Sequence, residues 1–216
     1  MDFTLLRFFG FTGTGLVILV VVVPALVYRG KRGERYSLLN HFISELGEVG
    51  VSRAARVFNA GLLLAGVFFL PTILGLGISF GSWFGWLGSA AGTVAVLGVT
   101  AVGLFPMNNL KPHMIAAMTY FRAGLVMELF FGLACLSQPA GKPVVPAMET
   151  LLSLLALLAY AAFLGLPGLR AKEKKPADLL DPEQIPERPR FWALAILEWL
   201  VFFSTIAWLF GMTFFI

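Results

Sequence analysis

The sequence predicts an all-α membrane protein whose chain crosses the bilayer six times. Of its 216 residues, 58% are hydrophobic and 13% are charged, and the mean hydropathy is +0.85. Soluble domains carry about 25% charged residues, so this chain lacks the polar surface of a water-soluble fold. Its apolar runs are long and continuous, as in membrane helices, rather than short and alternating, as in barrel strands.

Each of the six apolar runs is long enough to cross a hydrocarbon core of about 30 Å, which takes roughly 20 residues. The first run is too long for the apolar region of a signal peptide, and Pro24, Tyr28 and Arg29 do not resemble a cleavage site. We therefore expect it to remain as a helix. The predicted spans are 5–28, 57–80, 84–105, 115–136, 146–166 and 191–215, and together they form one domain over residues 1–216.

Basic residues are concentrated on one side of the predicted membrane. The loops after the first, third and fifth spans carry thirteen of the sixteen Lys and Arg residues. We call this side B, and the opposite side, which holds both termini, side A. The positive-inside rule predicts that side B faces the cytoplasm and that both termini lie outside. No basic segment is interleaved with aromatic residues, so the positive charge indicates topology rather than nucleic-acid binding.

The two long connections on side B differ in character. Loop 167–190 is charged and contains several prolines, which is typical of a solvated linker. Loop 29–56 instead has apolar residues at three- and four-residue steps, the pattern of a short amphipathic helix or re-entrant segment at the membrane surface. Gly47 and Gly50 are expected to end this segment, and Ser52 to cap the next helix. The apolar residues are Leu38, Leu39, Phe42, Ile43, Leu46 and Val49.

Polar side chains gather at or just below side B, which indicates a membrane-embedded pocket that opens to that side. Arg122 and Glu198 fall at similar depths on different spans, counting about 1.5 Å per helical residue. An unpaired charge in hydrocarbon costs about 2.5–3.5 kcal/mol on insertion scales, so an interhelical ion pair is expected. Glu128 lies nearer the midplane and has no evident cationic partner. The candidate binding residues are Asn40, His41, Ser44, Glu45, Asn59, Asn108, His113, Arg122 and Glu198.

Three segments resemble the signature regions of the Frag/DRAM/Sfk-like membrane proteins, in particular their bacterial and archaeal branch, known as domain of unknown function 998. They are "NHFISELG" at 40–47, "GLFPMNNLKPHMIAAMTYF" at 103–121 and "ALAILEWLVFF" at 193–203. The resemblance spans nearly the whole chain, and it adds Trp199 to the candidate binding residues. The matching positions are Ile43, Ser44 and Gly47; Phe105, Pro106, His113, Ala117 and Phe121; and Glu198 and Trp199.

This resemblance implies six helices, a prokaryotic cell membrane and an association with lipids. Eukaryotic relatives are linked to the remodelling of glycosylphosphatidylinositol lipids and to autophagy, without an accepted catalytic mechanism. In those relatives the serine loop is usually placed on the lumenal side, whereas the charge bias here puts it in the cytoplasm. Either this branch is inverted or one of the two assignments is wrong.

The favoured function is non-enzymatic binding or handling of a membrane lipid in the side B pocket. His41 and His113 are expected to contact a headgroup phosphate or to act as acid and base, and Arg122 with Glu198 to form the pocket floor. If the protein is an enzyme, we expect a lipid hydrolase or transferase with Ser44 as nucleophile and either histidine as base.

Two other classes of function stay open. The intramembrane residues Glu128, Arg122 and Glu198 are also typical of a relay in a transporter of protons or small solutes. Small residues four apart, such as Gly61 and Ala65, permit close helix contacts, either within the chain or in a homo-oligomer or a complex with other membrane proteins. One cysteine and two histidines without zinc spacing predict no metal site, and no cofactor is expected.

Overall fold

The structure is a computed structural model that describes residues 3–139, 141–170 and 188–216, with side chains described outside 167–170. All of its helices longer than one turn are apolar enough to cross a membrane, and no strand occurs in this part of the chain. The predicted six-helix membrane fold is confirmed. The helices are α1 (Phe3–Val27), α2 (Ala55–Phe80), α3 (Trp83–Leu104), α4 (Leu110–Leu136), α5 (Met148–Arg170) and α6 (Ala193–Phe215), and a 3-10 helix covers Ile43–Gly47.

The six helices form a closed ring. Each helix packs against the next one along the chain, and α1 also packs against α6. The contact between the first and the last helix closes the circle. This arrangement leaves an interior space between the helices, where the functional side chains described below meet.

Small residues allow the helices to approach closely. A Cβ atom added at Gly98 of α3 would lie 2.7 Å from the backbone nitrogen of Tyr120 in α4, and one at Gly88 would lie 2.9 Å from the ring of Phe131. At Gly61 of α2 the same atom would collide with Val20 of α1. The small residues therefore serve contacts between helices of one chain, as close packing in lipid requires.

Two helix starts differ from the sequence-based expectation. The N-cap of α2 is Ala54 without a side-chain hydrogen bond, and Ser52 is buried two residues earlier with no partner for its hydroxyl among the described residues. The prediction of Ser52 as the cap was therefore wrong. Helix α4 begins at Leu110 rather than at 115, so His113 lies inside the helix and not in the connection before it. Lys111 in this added turn is exposed.

Candidate functional site

Residues 36–52, here called the inserted loop, enter the bundle from side B. Phe42 and Leu46 keep only 4% and 0% of their surface accessible, and the 3-10 helix of the loop contacts α1, α2 and α6. Leu46 packs in one apolar cluster with Phe58 of α2 and Trp199 of α6. The amphipathic segment predicted from the sequence therefore packs between the helix ends. Leu38 and other apolar residues on its outer side remain exposed.

Side chains from three helix ends hold the backbone of the inserted loop. Asn59 of α2 donates to the carbonyl oxygen of Gly47 at 3.0 Å. Asn108, just before α4, accepts from the nitrogen of Val49 at 2.7 Å and donates to its oxygen at 2.8 Å. Glu198 of α6 accepts from the nitrogen of Ile43 at 2.7 Å. Such bonds satisfy backbone groups that have no partner in a short 3-10 helix.

A bidentate ion pair joins the inserted loop to the chain just before α6. Nη2 of Arg188 lies 2.7 Å from Oε2 of Glu45, and Nη1 lies 3.0 Å from Oε1. Nη1 also donates to the carbonyl oxygen of Asn40 at 2.6 Å, and the Glu45 carboxylate accepts from the nitrogen of Phe42 at 2.8 Å. The carboxylate is 2% accessible and the Arg188 side chain 24% accessible, so the pair is shielded from water on its acidic side.

Further hydrogen bonds join the inserted loop to residues 188–192 and to α6, and together with the ion pair we call them the strap. The amide of Asn40 donates to the oxygen of Pro189 at 3.0 Å, and the nitrogen of Trp192 donates to the oxygen of Leu39 at 2.8 Å. The indole of Trp199 donates to the oxygen of His41 at 3.2 Å. The strap connects segments about 150 residues apart in sequence, so the position of the loop depends on the last helix.

His41 lies beneath the strap rather than in an open site. Its ring is 2% accessible and packs edge-on against Tyr28, with centroids 5.4 Å apart, and against Tyr36. Burial lowers the pKa of His41, and the nearby Glu45 carboxylate only partly offsets that effect. Burial raises the pKa of Tyr36, with the negative charges of Glu198 and Glu45 acting in the same direction. Both rings are therefore held in their neutral forms.

A cavity of about 140 Å³ lies inside the ring of helices. Side chains from all six helices and from the inserted loop line it, and most of them are apolar. The polar residues on its wall are Ser44, His113, Tyr120, Tyr160, Glu198 and Thr205. An apolar chamber with a few polar groups is the usual form of a small-molecule site.

The polar groups of the cavity occupy two levels. Ser44, His113 and Glu198 lie at the side B end, next to the inserted loop. Deeper in the bundle, Tyr160 donates to the hydroxyl of Tyr120 at 3.0 Å and accepts from Thr205 at 3.2 Å. The body of the cavity between and around these levels is hydrocarbon.

The tautomer of His113 follows from its hydrogen bond. Nδ1 lies 2.9 Å from the carbonyl oxygen of Phe105, which can only accept, so Nδ1 carries the proton in the neutral ring. Nε2 is then the acceptor, and it has no hydrogen-bond partner among the described residues. The ring lines the cavity, so His113 offers an acceptor to a molecule bound there.

The expected ion pair between Arg122 and Glu198 does not form. Arg122 is exposed on the outer face of α4, whereas Glu198 lines the cavity and bonds to the backbone of Ile43. The predicted ion pair was wrong, because the rotation of each helix about its axis decides which charges meet. Arg122 therefore does not form the floor of the pocket.

The remaining candidates fall into two groups. Ser44, His113 and Glu198 line the cavity, and Glu198 also holds the inserted loop. The others only hold the loop; these are Asn40, His41, Glu45, Asn59, Asn108 and Trp199. No hydrogen bond in the described part of the chain joins Ser44 to either histidine, and its hydroxyl contacts only the sulfur of Met107 at 3.9 Å. The proposed catalytic roles of Ser44, His41 and His113 stay predictions.

Sequence reasoning missed three residues of the site, namely Arg188, which holds the inserted loop, and Tyr160 and Thr205, which line the cavity. Arg188 was read as part of a solvated linker, since its neighbours are charged residues and prolines. Tyr160 and Thr205 lie in strongly apolar spans, where a hydroxyl is the one signal of an inward-facing polar position. Nothing in the sequence pairs Arg188 with Glu45, because 143 residues separate them.

Comparison with known protein families gives one match. Residues 11–214 match the family described as Protein of unknown function (DUF998). The chain belongs to this family. The match covers nearly all of the six-helix bundle, and the six apolar helices make this DUF998 chain a multi-pass membrane protein. No curated protein and no solved structure matches it.

Proposed function

We propose that this DUF998 protein binds a membrane-derived amphiphile, with the apolar chain in the central cavity and the polar end beside the inserted loop. The observation that carries the proposal is the chemistry of the cavity wall. Apolar side chains from α1, α2, α3, α4 and α6 surround a chamber that has Ser44, His113 and Glu198 at one end, and α5 adds Tyr160. An amphiphile has a matching distribution, with a long apolar chain and a polar group at one end.

The size of the cavity limits what it holds. An engineered protein cavity of about 150 Å³ lined by apolar side chains binds benzene. The central cavity, at about 140 Å³, is comparable. It therefore accommodates a segment of one hydrocarbon chain rather than a whole two-chain lipid, and the rest of a longer ligand extends between the helices.

The polar end of the cavity favours a ligand that donates hydrogen bonds. Glu198 is the one acidic residue on the described wall and its carboxyl oxygens can accept hydrogen bonds, and His113 presents an acceptor nitrogen. Arg122 faces outward and Arg188 is engaged by Glu45, so neither cation is available to a phosphate in the cavity. We therefore expect a hydroxyl or amine at this end and revise the expectation that the histidines contact phosphate.

Binding without turnover is the favoured form of the proposal. Ser44 has no base in hydrogen-bond range among the described residues, and His41 is buried under aromatic rings. If catalysis occurs, a hydrolase or transferase reaction on the bound lipid would need the inserted loop to shift. Membership of the wider Frag/DRAM/Sfk-like superfamily, a prokaryotic cell membrane and a cytoplasmic side B belong to the same proposal, and the basic residues of side B support the orientation.

Transport of protons or small solutes is a second candidate. Polar side chains occur at successive depths, from Glu198 through the hydrogen-bonded Tyr160 and Thr205 to Glu128. Intramembrane ionisable residues often mark such paths. A proteoliposome flux that depends on Glu198 and Glu128, without a co-purifying amphiphile, would favour this candidate over the first.

Native mass spectrometry with lipid extraction tests the proposal. Val99→Phe adds a ring to the cavity wall, whereas Val94→Phe makes the same change on the exposed face of the same helix. We expect a co-purifying amphiphile in the wild type and in the Val94 variant, and its loss in the Val99 variant. Equal retention in both variants, or no bound amphiphile in the wild type, would argue against an occupied cavity.

Single-chain probes test the polar end. Octanol, octylamine and octyl phosphate are added to the protein in nanodiscs, and a change in tryptophan fluorescence, to which Trp208 on the cavity wall contributes, reports binding. A hydrogen bond to a charged group contributes about 1.5–3 kcal/mol, so Glu198→Gln should weaken octylamine binding by about tenfold or more. Tighter binding of octyl phosphate than of the other two probes would refute the assignment of a donor group.

A further inference from the structure

Four polar side chains without hydrogen-bond partners are buried in the side A half of the bundle. Glu128, Glu149, Ser153 and Trp208 are each at most 1% accessible. Within the described part of the chain, both carboxylate oxygens of each glutamate, the serine hydroxyl and the indole nitrogen have no partner. Buried polar atoms are rarely left unpaired in folded proteins, so this concentration calls for a physical account.

The contacts of α4 and α5 bring three of these residues to one seam. A Cβ atom added at Gly132 of α4 would lie 3.3 Å from the Cβ atom of Ser153 in α5. Glu128 is one helical turn from Gly132, and Glu149 is one turn from Ser153, so each pair shares a helix face. The two carboxyl groups therefore flank Ser153 along the same interface.

Helix α6 closes the third side of the seam. The carboxylate of Glu149 occupies the space where a Cβ atom at Gly211 would lie. Trp208 precedes Gly211 by three residues on the same face of α6, and its ring packs 5.5 Å from that of Phe131 in α4. Since Phe131 follows Glu128 by three residues, the indole lies on the α4 face that carries Glu128.

No described cation neutralises the two carboxyl groups. The other titratable side chains near Glu128 or Glu149 are Tyr120, Tyr160 and Cys135, none of which carries a positive charge. An ionised carboxylate without a partner costs several kcal/mol in hydrocarbon, about 2.5–3.5 on insertion scales. A proton or a bound cation must therefore accompany each carboxyl group.

We infer that Glu128, Glu149, Ser153 and Trp208 form a buried site that binds protons and internal water, distinct from the polar end of the cavity. A protonated carboxyl group both donates and accepts, a hydroxyl does the same, and the indole donates. An internal water makes about two to four hydrogen bonds, which these groups supply. The indole N–H is a donor only, and no third His, Cys, Asp or Glu joins the two carboxyl groups among the described residues, so protons fit the seam better than a metal ion.

Infrared difference spectroscopy on the full-length protein in nanodiscs tests this site, because protonated carboxyl groups and carboxylates absorb at different frequencies. Subtracting Glu128→Gln or Glu149→Gln from the wild type should leave one protonated-carboxyl band each, and each band should shift in D₂O. Glu48→Gln, which removes a carboxylate paired with Lys31, is the control and should leave carboxylate bands. Carboxylate bands at Glu128 or Glu149 would overturn the inference.

Variants of the two neutral residues test the composition of the site. Ser153→Ala and Trp208→Phe each remove one hydrogen-bonding group and should shift the protonated-carboxyl bands without abolishing them. Bands that stay unchanged in both variants would remove these side chains from the site.

A second measurement uses the wild-type protein and needs no variant to fold. Dicyclohexylcarbodiimide reacts with protonated carboxyl groups in apolar surroundings, and peptide mass spectrometry locates the products. We expect modification of Glu128 or Glu149 that added NaCl does not change. Protection by NaCl would indicate a sodium site and overturn the inference, as would the absence of both the adducts and the protonated-carboxyl bands.

Discussion

Removing the guanidinium of Arg188 should release the inserted loop. In Arg188→Ala the Glu45 carboxylate stays buried, at 2% accessibility, with its cation gone. Breaking one partner of a fully buried ion pair costs about 3–5 kcal/mol. Because the Arg188 side chain is 24% accessible, water enters after truncation and the expected loss is about 2–3 kcal/mol. At this chain length that corresponds to a lower Tm by about 4–12 °C.

Removing the charge of the other partner, Glu45, should destabilise the protein less. In Glu45→Gln the amide oxygen still accepts from the nitrogen of Phe42, and the guanidinium of Arg188 can turn toward water. We expect a loss of about 1 kcal/mol, since a partly exposed charge is readily hydrated. The double variant should lose less than the sum of the single losses, with a coupling of about 1–2 kcal/mol, because the buried charge that penalises Arg188→Ala is then absent.

Thermal unfolding in detergent or nanodiscs, followed by circular dichroism, measures these differences. Arg190→Ala is the matched control, because Arg190 is exposed and its guanidinium stacks only on Phe191 at 5.5 Å. Its removal should change stability by less than about 0.5 kcal/mol. If Arg188→Ala has the same Tm as the control, or if the losses add in the double variant, the ion pair does not hold the inserted loop in place.

Two further predictions concern the loop and the helix packing. Burial lowers the pKa of His41, so the unfolded chain binds this proton more readily; stability is full above the unfolded pKa of about 6.5 and should fall as the pH drops below it. A His41→Gln variant, measured by thermal unfolding from pH 7 to pH 5, should lack this component, and an unchanged slope would count against it. Gly98→Ala places a Cβ atom 2.7 Å from the backbone of Tyr120 and should lower the Tm, whereas Gly15→Ala meets open space and should leave it unchanged or raise it; equal effects would contradict the close packing of α3 on α4.

The polar groups on the cavity wall show how well residue type alone predicts the residues of the site. Ser44, His113 and Glu198 were recognised because polar residues are rare in or beside apolar spans, and all three line the cavity. Arg122 carried the same signal and faces outward. A polar residue in a span therefore marks a candidate for a functional role but does not show whether its side chain faces the interior of the bundle or its outer surface.

The sequence by itself determined the number of helices, their approximate ends and the accumulation of polar residues toward side B. These properties depend on the length and composition of each segment, since hydrocarbon excludes unpaired backbone and charge. Only the tertiary structure decided which side chains meet, as with Glu45 and Arg188 or with Glu128, Glu149 and Trp208. The reason is that helices apolar on all faces have no stripe that fixes their rotation, so their inward faces are set by close contacts with neighbouring helices.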